Sequence, residues 1–220
     1  MRAFIFDMDG VIIDSEPIHF RLDTATMEHY GVAIAPHELE RFVGMTNPEM
    51  WAILKEQYEL APDVTEIIEY QLGTKIEYVQ SATIIPIEGI PELLAELKGK
   101  QIRIGLASSS PIRFIEAVLH QFKLQELFDC IVSGEEVERG KPEPDVYLEA
   151  ARQLGVEPKE CIVLEDSRNG VRAAKSAGMS CIGFANPNSG NQDLSLADAI
   201  VHSIREINSP FIEELSRKEG

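Results

Sequence analysis

Basic residues are scarce in this chain: 20 Lys and Arg stand against 37 Asp and Glu, a formal net charge of −17. So acidic a surface repels polyanions, which argues against nucleic acid and anionic membranes as partners. A small anionic substrate is not excluded, because one lysine and a divalent cation reverse the sign of a single pocket. Cysteine is scarce too. Cys130, Cys161 and Cys181 are odd in number and lack metal-ligand spacing, so they are expected to be reduced, buried thiols of a cytoplasmic protein. No apolar run reaches bilayer length, and Met1 leads into the first strand without a basic and apolar leader, which predicts neither a membrane span nor export. Nothing signals an obligate protein partner, and a monomer is the expectation.

What is present suffices for one good core and a smaller second unit: 220 residues, 44% of them hydrophobic. The informative stretch is the first, Arg2-Ala3-Phe4-Ile5-Phe6-Asp7-Met8-Asp9-Gly10. Its apolar run reads as a buried strand whose C-terminal tip carries two acids. Asp7 and Asp9 share a face if the strand persists, but Gly10 predicts that the chain is already turning at Met8. Two acids so placed suit a nucleophile and a proton shuttle; taken alone, the tetrapeptide is equally an ordinary surface turn.

Asp14-Ser15-Glu16-Pro17 signals a helix start. From there the chain is helix-compatible, with candidates over 19–30, 38–42, 49–58 and 64–78, punctuated by Gly31, Pro36, Gly44, Pro48 and Pro62. No strand is predicted before Thr83-Ile84-Ile85. Residues 16–82 are therefore predicted to form a small helical unit inserted after the first strand, with 1–15 and 83–220 as the main domain. Beyond Pro86 helices and strands alternate: helices over 91–97, to 122, 145–154 and 168–176, and strands over 102–107, 130–132, 161–164, 180–184 and 199–201. Alternation of this kind implies an α/β fold, a Rossmann-like parallel sheet with helices on both faces. Asp7, Ser108 and Glu165-Asp166 then fall at C-terminal strand ends, on the rim where such sheets bind ligands.

Each of these segments has a plain reading beside the chemical one. Ser108, in Ala107-Ser108-Ser109-Ser110-Pro111, offers a hydroxyl and amides to a phosphate oxygen or simply caps a helix. Glu165-Asp166 joins Asp7 in an oxygen-rich site suited to Mg²⁺, or is an acidic helix start before Ser167. Lys141, in Arg139-Gly140-Lys141-Pro142-Glu143-Pro144-Asp145, is pinned by Gly and Pro where its ammonium can meet Asp7 and a phosphate, or is simply a solvated loop lysine.

As a set, Phe6-Asp7-Met8-Asp9-Gly10-Val11, Ala107-Ser108-Ser109-Ser110, Gly140-Lys141-Pro142-Glu143-Pro144 and Leu164-Glu165-Asp166-Ser167 resemble the haloacid dehalogenase superfamily. Within it they resemble the β-phosphoglucomutase-like phosphatases, whose helical cap follows the first strand. The resemblance implies Asp7 as nucleophile and Asp9 as acid and base, with Ser108, Ser109, Lys141 and His19 as phosphate or substrate contacts. It implies Mg²⁺ held by Asp7, the Asp9 carbonyl, Glu165 and Asp166. The substrate class implied is a small phosphorylated metabolite, split through an aspartyl phosphate.

Phosphatase and mutase part company in the cap. The mutases grip a second phosphate with basic residues around the glycine that Gly44 resembles; here the turn reads Phe42-Val43-Gly44-Met45-Thr46-Asn47. Gln80 and Ile112 likewise stand where the resemblance leads one to expect a lysine and an asparagine. Hydrolysis of a small organic monophosphate, a sugar phosphate among the candidates, is therefore the expectation. The alternatives are a β-phosphoglucomutase-like isomerase and a catalytically weak regulatory or binding protein on the same fold. Lys55, Lys75 or Arg21 would restore the mutase reading by entering the pocket. Met45, Trp51, Phe20 and Phe42 either line its apolar side or form a helical core, the use expected of Trp51.

Overall fold

The computed structural model describes residues 1–39, 42 and 47–217. Short apolar runs rich in branched side chains make the strands, and nearly every residue in the central ones is buried, as a parallel sheet covered on both faces requires. The strands are β1 (Ala3–Phe6), β2 (Arg103–Ser108), β3 (Cys130–Ser133), β4 (Cys161–Glu165), β5 (Ser180–Phe184) and β6 (Ala199–Val201). They form one six-stranded sheet in the order β3-β2-β1-β4-β5-β6, and every pairing is parallel. β1 is central, with Phe6 opposite Leu106 on one side and Leu164 on the other. That register brings the C-terminal ends of β1, β2 and β4 to one rim.

Chain contacts divide the molecule into two units, residues 1–14 with 84–220, and residues 15–83. In the first unit, α5 (Ile90–Gly99), α6 (Ile112–Phe122), α7 (Asp145–Leu154) and α8 (Arg168–Ser176) connect the strands. Strand alternation sends Ala3 and Ile5 to one face, where they join Tyr147, Ala150 and Leu154 of α7 and Val171 and Ala174 of α8 in a continuous core. The three cysteines lie in that core as free thiols.

The second unit contains α1 (Glu16–His29), α2 (Pro36–Leu39), α3 (Asn47–Tyr58) and α4 (Val64–Ser81). Pro17 sits in the first turn of α1, where its missing N–H costs nothing. Asp63 caps α4, its carboxylate accepting from the Glu66 amide at 2.8 Å. Trp51 is fully buried among Met27, Leu54 and Ile67, with Phe42 in the same core and Phe20 against it, so these aromatics serve packing. Residues 40, 41 and 43–46, which include Val43, Gly44, Met45 and Thr46 of the expected cap turn, lie outside the described residues.

Two elements differ from the sequence expectation. Thr83-Ile84-Ile85 is not a strand: Ile85 is 78% exposed, and the chain first bonds back to the sheet domain at Ile87, whose amide donates to the Ile12 carbonyl. A run of three β-branched residues has strand propensity but no strand edge to meet here. The C-terminal α9 (Ser209–Arg217) has no counterpart in the sequence expectations; it buries Ile212 and Leu215. Among the described residues no helix is long and apolar enough to cross a membrane.

Candidate active site

β1 ends at Phe6, and the Asp7 amide still donates to the Leu164 carbonyl of β4 at 3.0 Å, which fixes the residue at the strand tip. The chain then turns tightly: the Ile12 amide reaches the Met8 carbonyl and the Gly10 amide the Ile13 carbonyl, each at 2.8 Å. Gly10 has φ +70°, and a Cβ there would sit 1.9 Å from Asp166 Oδ2. Only glycine meets both the backbone angle and this approach. Within the bend Asp9 has partners of its own. Its Oδ2 accepts from Ser110 Oγ at 2.7 Å and Ser108 Oγ at 3.2 Å.

Lys141 is the cation of the site. Its Nζ donates to Asp7 Oδ1 at 2.7 Å, to Glu165 Oε1 at 2.8 Å and to the Ala107 carbonyl at 3.1 Å, so all three of its N–H groups are used. The loop that carries it is held at its base by Arg139, which makes a two-pronged contact with Asp145 at 2.9 and 3.2 Å. Glu165 is fully buried. Besides Lys141, it accepts from Tyr147 Oη at 2.9 Å, the Ser167 amide at 2.8 Å and Ser167 Oγ at 2.9 Å.

Asp7, Glu165 and Asp166 each bring a carboxylate oxygen within 4.8 Å of the others, and all three are buried. Burial and the charges of Glu165 and Asp9 outweigh Lys141 and push Asp7 up to about 8. Burial, with Glu165 and Asp7 beside it, also takes Asp166 well above the usual carboxylate range, against the bond from Ser189. Lys141 is raised: burial disfavours its charge, but Asp7 and Glu165 together more than offset that. Both carboxyl shifts express burial first and then the excess negative charge, for which one ammonium is too little. The donors are all hard oxygens, a set that fits Mg²⁺ and not a thiophilic metal.

Six of the residues expected from sequence therefore meet on one rim: Asp7, Asp9, Ser108, Lys141, Glu165 and Asp166. Ser108 is fully buried, with its hydroxyl between Asp9 and the Ser110 amide; Ser109 beside it is exposed. His19 belongs to α1 of the other unit. Sequence spacing does not single out Tyr147, Ser110 or Ser189. Tyr147 sits in the apolar stripe of α7 with Val146, Ala150, Ala151 and Leu154, where periodicity predicts only core, yet its hydroxyl bonds Glu165 and its ring lies 4.8 Å from Lys141 Nζ.

Residues 4–184 match the model of the haloacid dehalogenase-like hydrolases. Hexitol phosphatase B of Escherichia coli is 36% identical over 210 residues, covering 93% of each chain. A phosphorylated carbohydrates phosphatase of Thermotoga maritima is 37% identical, over 83% of this chain and 84% of that one. The solved β-phosphoglucomutase of Clostridium difficile superposes with a TM-score of 0.79 at 28% identity, over 100% of this chain and 98% of that one. With the parallel sheet and its acidic rim, these likenesses mean that the chain belongs to the haloacid dehalogenase-like hydrolase family, close to β-phosphoglucomutase and the hexitol and sugar phosphatases.

Proposed function

We propose that the protein is a Mg²⁺-dependent phosphatase that hydrolyses a small organic monophosphate, a sugar phosphate foremost, through an aspartyl phosphate on Asp7. The observation that carries this reading is the placement of Asp7: a buried carboxylate at a strand tip, 2.7 Å from Lys141 Nζ and grouped with Glu165 and Asp166. The turn after β1 gives Asp9 an environment of serine hydroxyls, as division of labour between nucleophile and proton carrier requires.

In this mechanism Lys141 holds Asp7 Oδ1, and the other carboxylate oxygen attacks phosphorus in line with the departing alcohol. Asp9 gives that alcohol its proton, then takes one from the water that opens the aspartyl phosphate. Asp7, Asp166 and the Asp9 carbonyl, with Glu165 in the same group, would hold Mg²⁺, which when bound neutralises charge as two anions approach. Ser108 and Ser109 supply hydroxyl and amide groups for the phosphate oxygens. The inserted helical unit, 16–82 in the sequence reading, is assigned as the cap, with His19 on its first helix.

Hydrolysis is favoured over isomerisation by what Lys55, Lys75 and Arg21, the cationic side chains of that unit among the described residues, do. Lys55 Nζ donates to the carbonyls of Leu60, Ala61 and Pro62. Lys75 is buried against Asp23 at 3.4 Å, and Arg21 lies over the Tyr78 ring at 5.2 Å. Asn47 donates to Gln71 at 3.2 Å. A mutase must retain a bisphosphate between half-reactions, and each charge-assisted contact it lacks costs roughly 2 kcal/mol. The names of the Escherichia coli and Thermotoga maritima relatives support a sugar or hexitol phosphate.

A panel of phosphorylated metabolites assayed for inorganic phosphate, with isomer formation followed on the same sample primed with bisphosphate, tests the reading. Release of phosphate that stops on chelation and returns with Mg²⁺ is expected. Asp7→Asn should abolish turnover in a folded protein, and Asp9→Asn should slow poorly activated leaving groups most. Isomerisation outrunning hydrolysis, or full turnover by Asp7→Asn, overturns the assignment.

A further inference from the structure

The loop after β5 does something the reaction scheme leaves unused. β5 neighbours β4 and not β1, yet its loop bonds the turns that follow both. Asn186 and Ser189 are each only 7% exposed. Asn186 Nδ2 donates to the Gly10 carbonyl at 2.9 Å, and Ser189 Oγ donates to Asp166 Oδ2. Asn188 Nδ2 donates to Asp14, the last residue before the inserted unit. The loop is braced within itself. The Asn188 amide donates to Asn186 Oδ1 at 2.9 Å, the Ser189 amide to the Asn186 carbonyl at 3.2 Å, and Gln192 Nε2 to the Ser189 carbonyl at 2.9 Å. Gln192 Oε1 in turn accepts from the Arg168 amide at the start of α8, at 3.1 Å.

We infer that residues 186–189 are a positioning strap for the acidic rim, in which Ser189 holds one oxygen of Asp166 and leaves the other to a cation, while Asn186 holds the Asp9-Gly10 turn. This rests on the Mg²⁺ reading above. Its physical content is preorganisation. Asp166 follows β4 and Asp9-Gly10 follows β1, so their spacing depends on turns that the sheet ladder does not fix; one braced loop bonded to both removes that freedom. The packing leaves no slack, because a Cβ on Gly10 would lie 1.9 Å from Asp166 Oδ2 and 2.7 Å from Ser189 Oγ. With Oδ2 occupied by a hydroxyl, Asp166 is set to bind through one oxygen. That suits Mg²⁺, which takes single oxygens in octahedral geometry, better than Ca²⁺, which accepts two-oxygen carboxylates. Ser189 and Asn186 are thus positioning residues acting through Asp166 and the turn.

Full-length wild type, Ser189→Ala and Asn186→Ala should be titrated with Mn²⁺ by electron paramagnetic resonance, and with Mg²⁺ and Ca²⁺ by calorimetry. Loss of an outer partner of a metal ligand costs 10–100-fold in affinity, so Ser189→Ala should weaken Mg²⁺ about tenfold. Ca²⁺ should weaken by less than about threefold, because the freed oxygen lets it bind two-pronged. Asn186→Ala should weaken both ions alike, and carries the test if Ser189→Ala does not fold. A Mg²⁺ affinity within twofold of wild type in both variants overturns the strap, and so does equal loss of Mg²⁺ and Ca²⁺ in Ser189→Ala. Absence of binding by wild type overturns instead the metal reading on which the strap rests.

Discussion

Two glycines in helices show how far a single residue's role depends on what faces it. Gly73, in α4, is exposed, and a Cβ there would meet nothing within 4 Å. Gly170, in the first turn of α8, faces Glu165: a Cβ would lie 1.4 Å from Oε1 and 1.8 Å from Cδ. Helix propensity favours alanine over glycine by about 1 kcal/mol at either position. Gly73→Ala should therefore stabilise by roughly 0.5–1 kcal/mol. Gly170→Ala should destabilise by about 2 kcal/mol through overpacking. It should also lower turnover by at least about tenfold, since Glu165 moves and with it Lys141. Urea unfolding and initial rates on the two variants check both signs; the same sign in both would mean that Glu165 yields freely.

At the scale of elements, α1 and α4 of the inserted unit share a buried polar contact. Lys75 of α4 is paired with Asp23 of α1 at 3.4 Å, with side chains 7% and 11% exposed, and Gln71 donates to the same Asp23 oxygen. Removing one partner of such a pair strands the other, whereas replacing both with apolar groups is far less harmful. Lys75→Met alone should cost about 3–5 kcal/mol, and the double variant Asp23→Leu with Lys75→Met should recover most of it. Chemical denaturation of the full chain measures both. A single variant as stable as wild type would show that water already solvates Asp23. The same contact explains why Lys75 contributes packing order to the helical unit instead of a free charge.

At the scale of the molecule, the three cysteines lie on β3, β4 and β5 in the one core that α7 and α8 cover. Burial pushes the Cys130 and Cys161 thiols up to about 12 and Cys181 well above its ordinary value. At pH 8 the thiolate fraction at pKa 12 is on the order of one in ten thousand, and access is closed as well. The native protein should take no iodoacetamide over an hour at pH 8, and should take three equivalents after unfolding, counted by mass. Labelling of one thiol in the native state would mark local opening of that layer.

Alternation of short apolar runs with helices was enough to determine a parallel sheet, because burial on both faces leaves no polar side for an antiparallel strand to expose. Asp7, Ser108, Glu165 and Asp166 were legible for a related reason: in a parallel sheet every strand points the same way, so residues at strand ends share a rim whatever the strand order. Asp9 and Lys141 lie in the turn after β1 and the loop before α7, and the motifs around them, not strand ends, made them legible. The strand order itself, β3-β2-β1-β4-β5-β6, follows from which crossovers pack, and local patterning does not encode it. Nor does spacing reveal that all three donors of Lys141 are taken, that Tyr147 lends its hydroxyl to Glu165, or that Ser189 reaches Asp166 across 23 positions of chain. Those bonds join residues that are neighbours only after the sheet has closed. Sequence thus determined the acids, the serine and the lysine that come to the rim; tertiary packing alone decided what else joins them and which oxygen each acid is left to use.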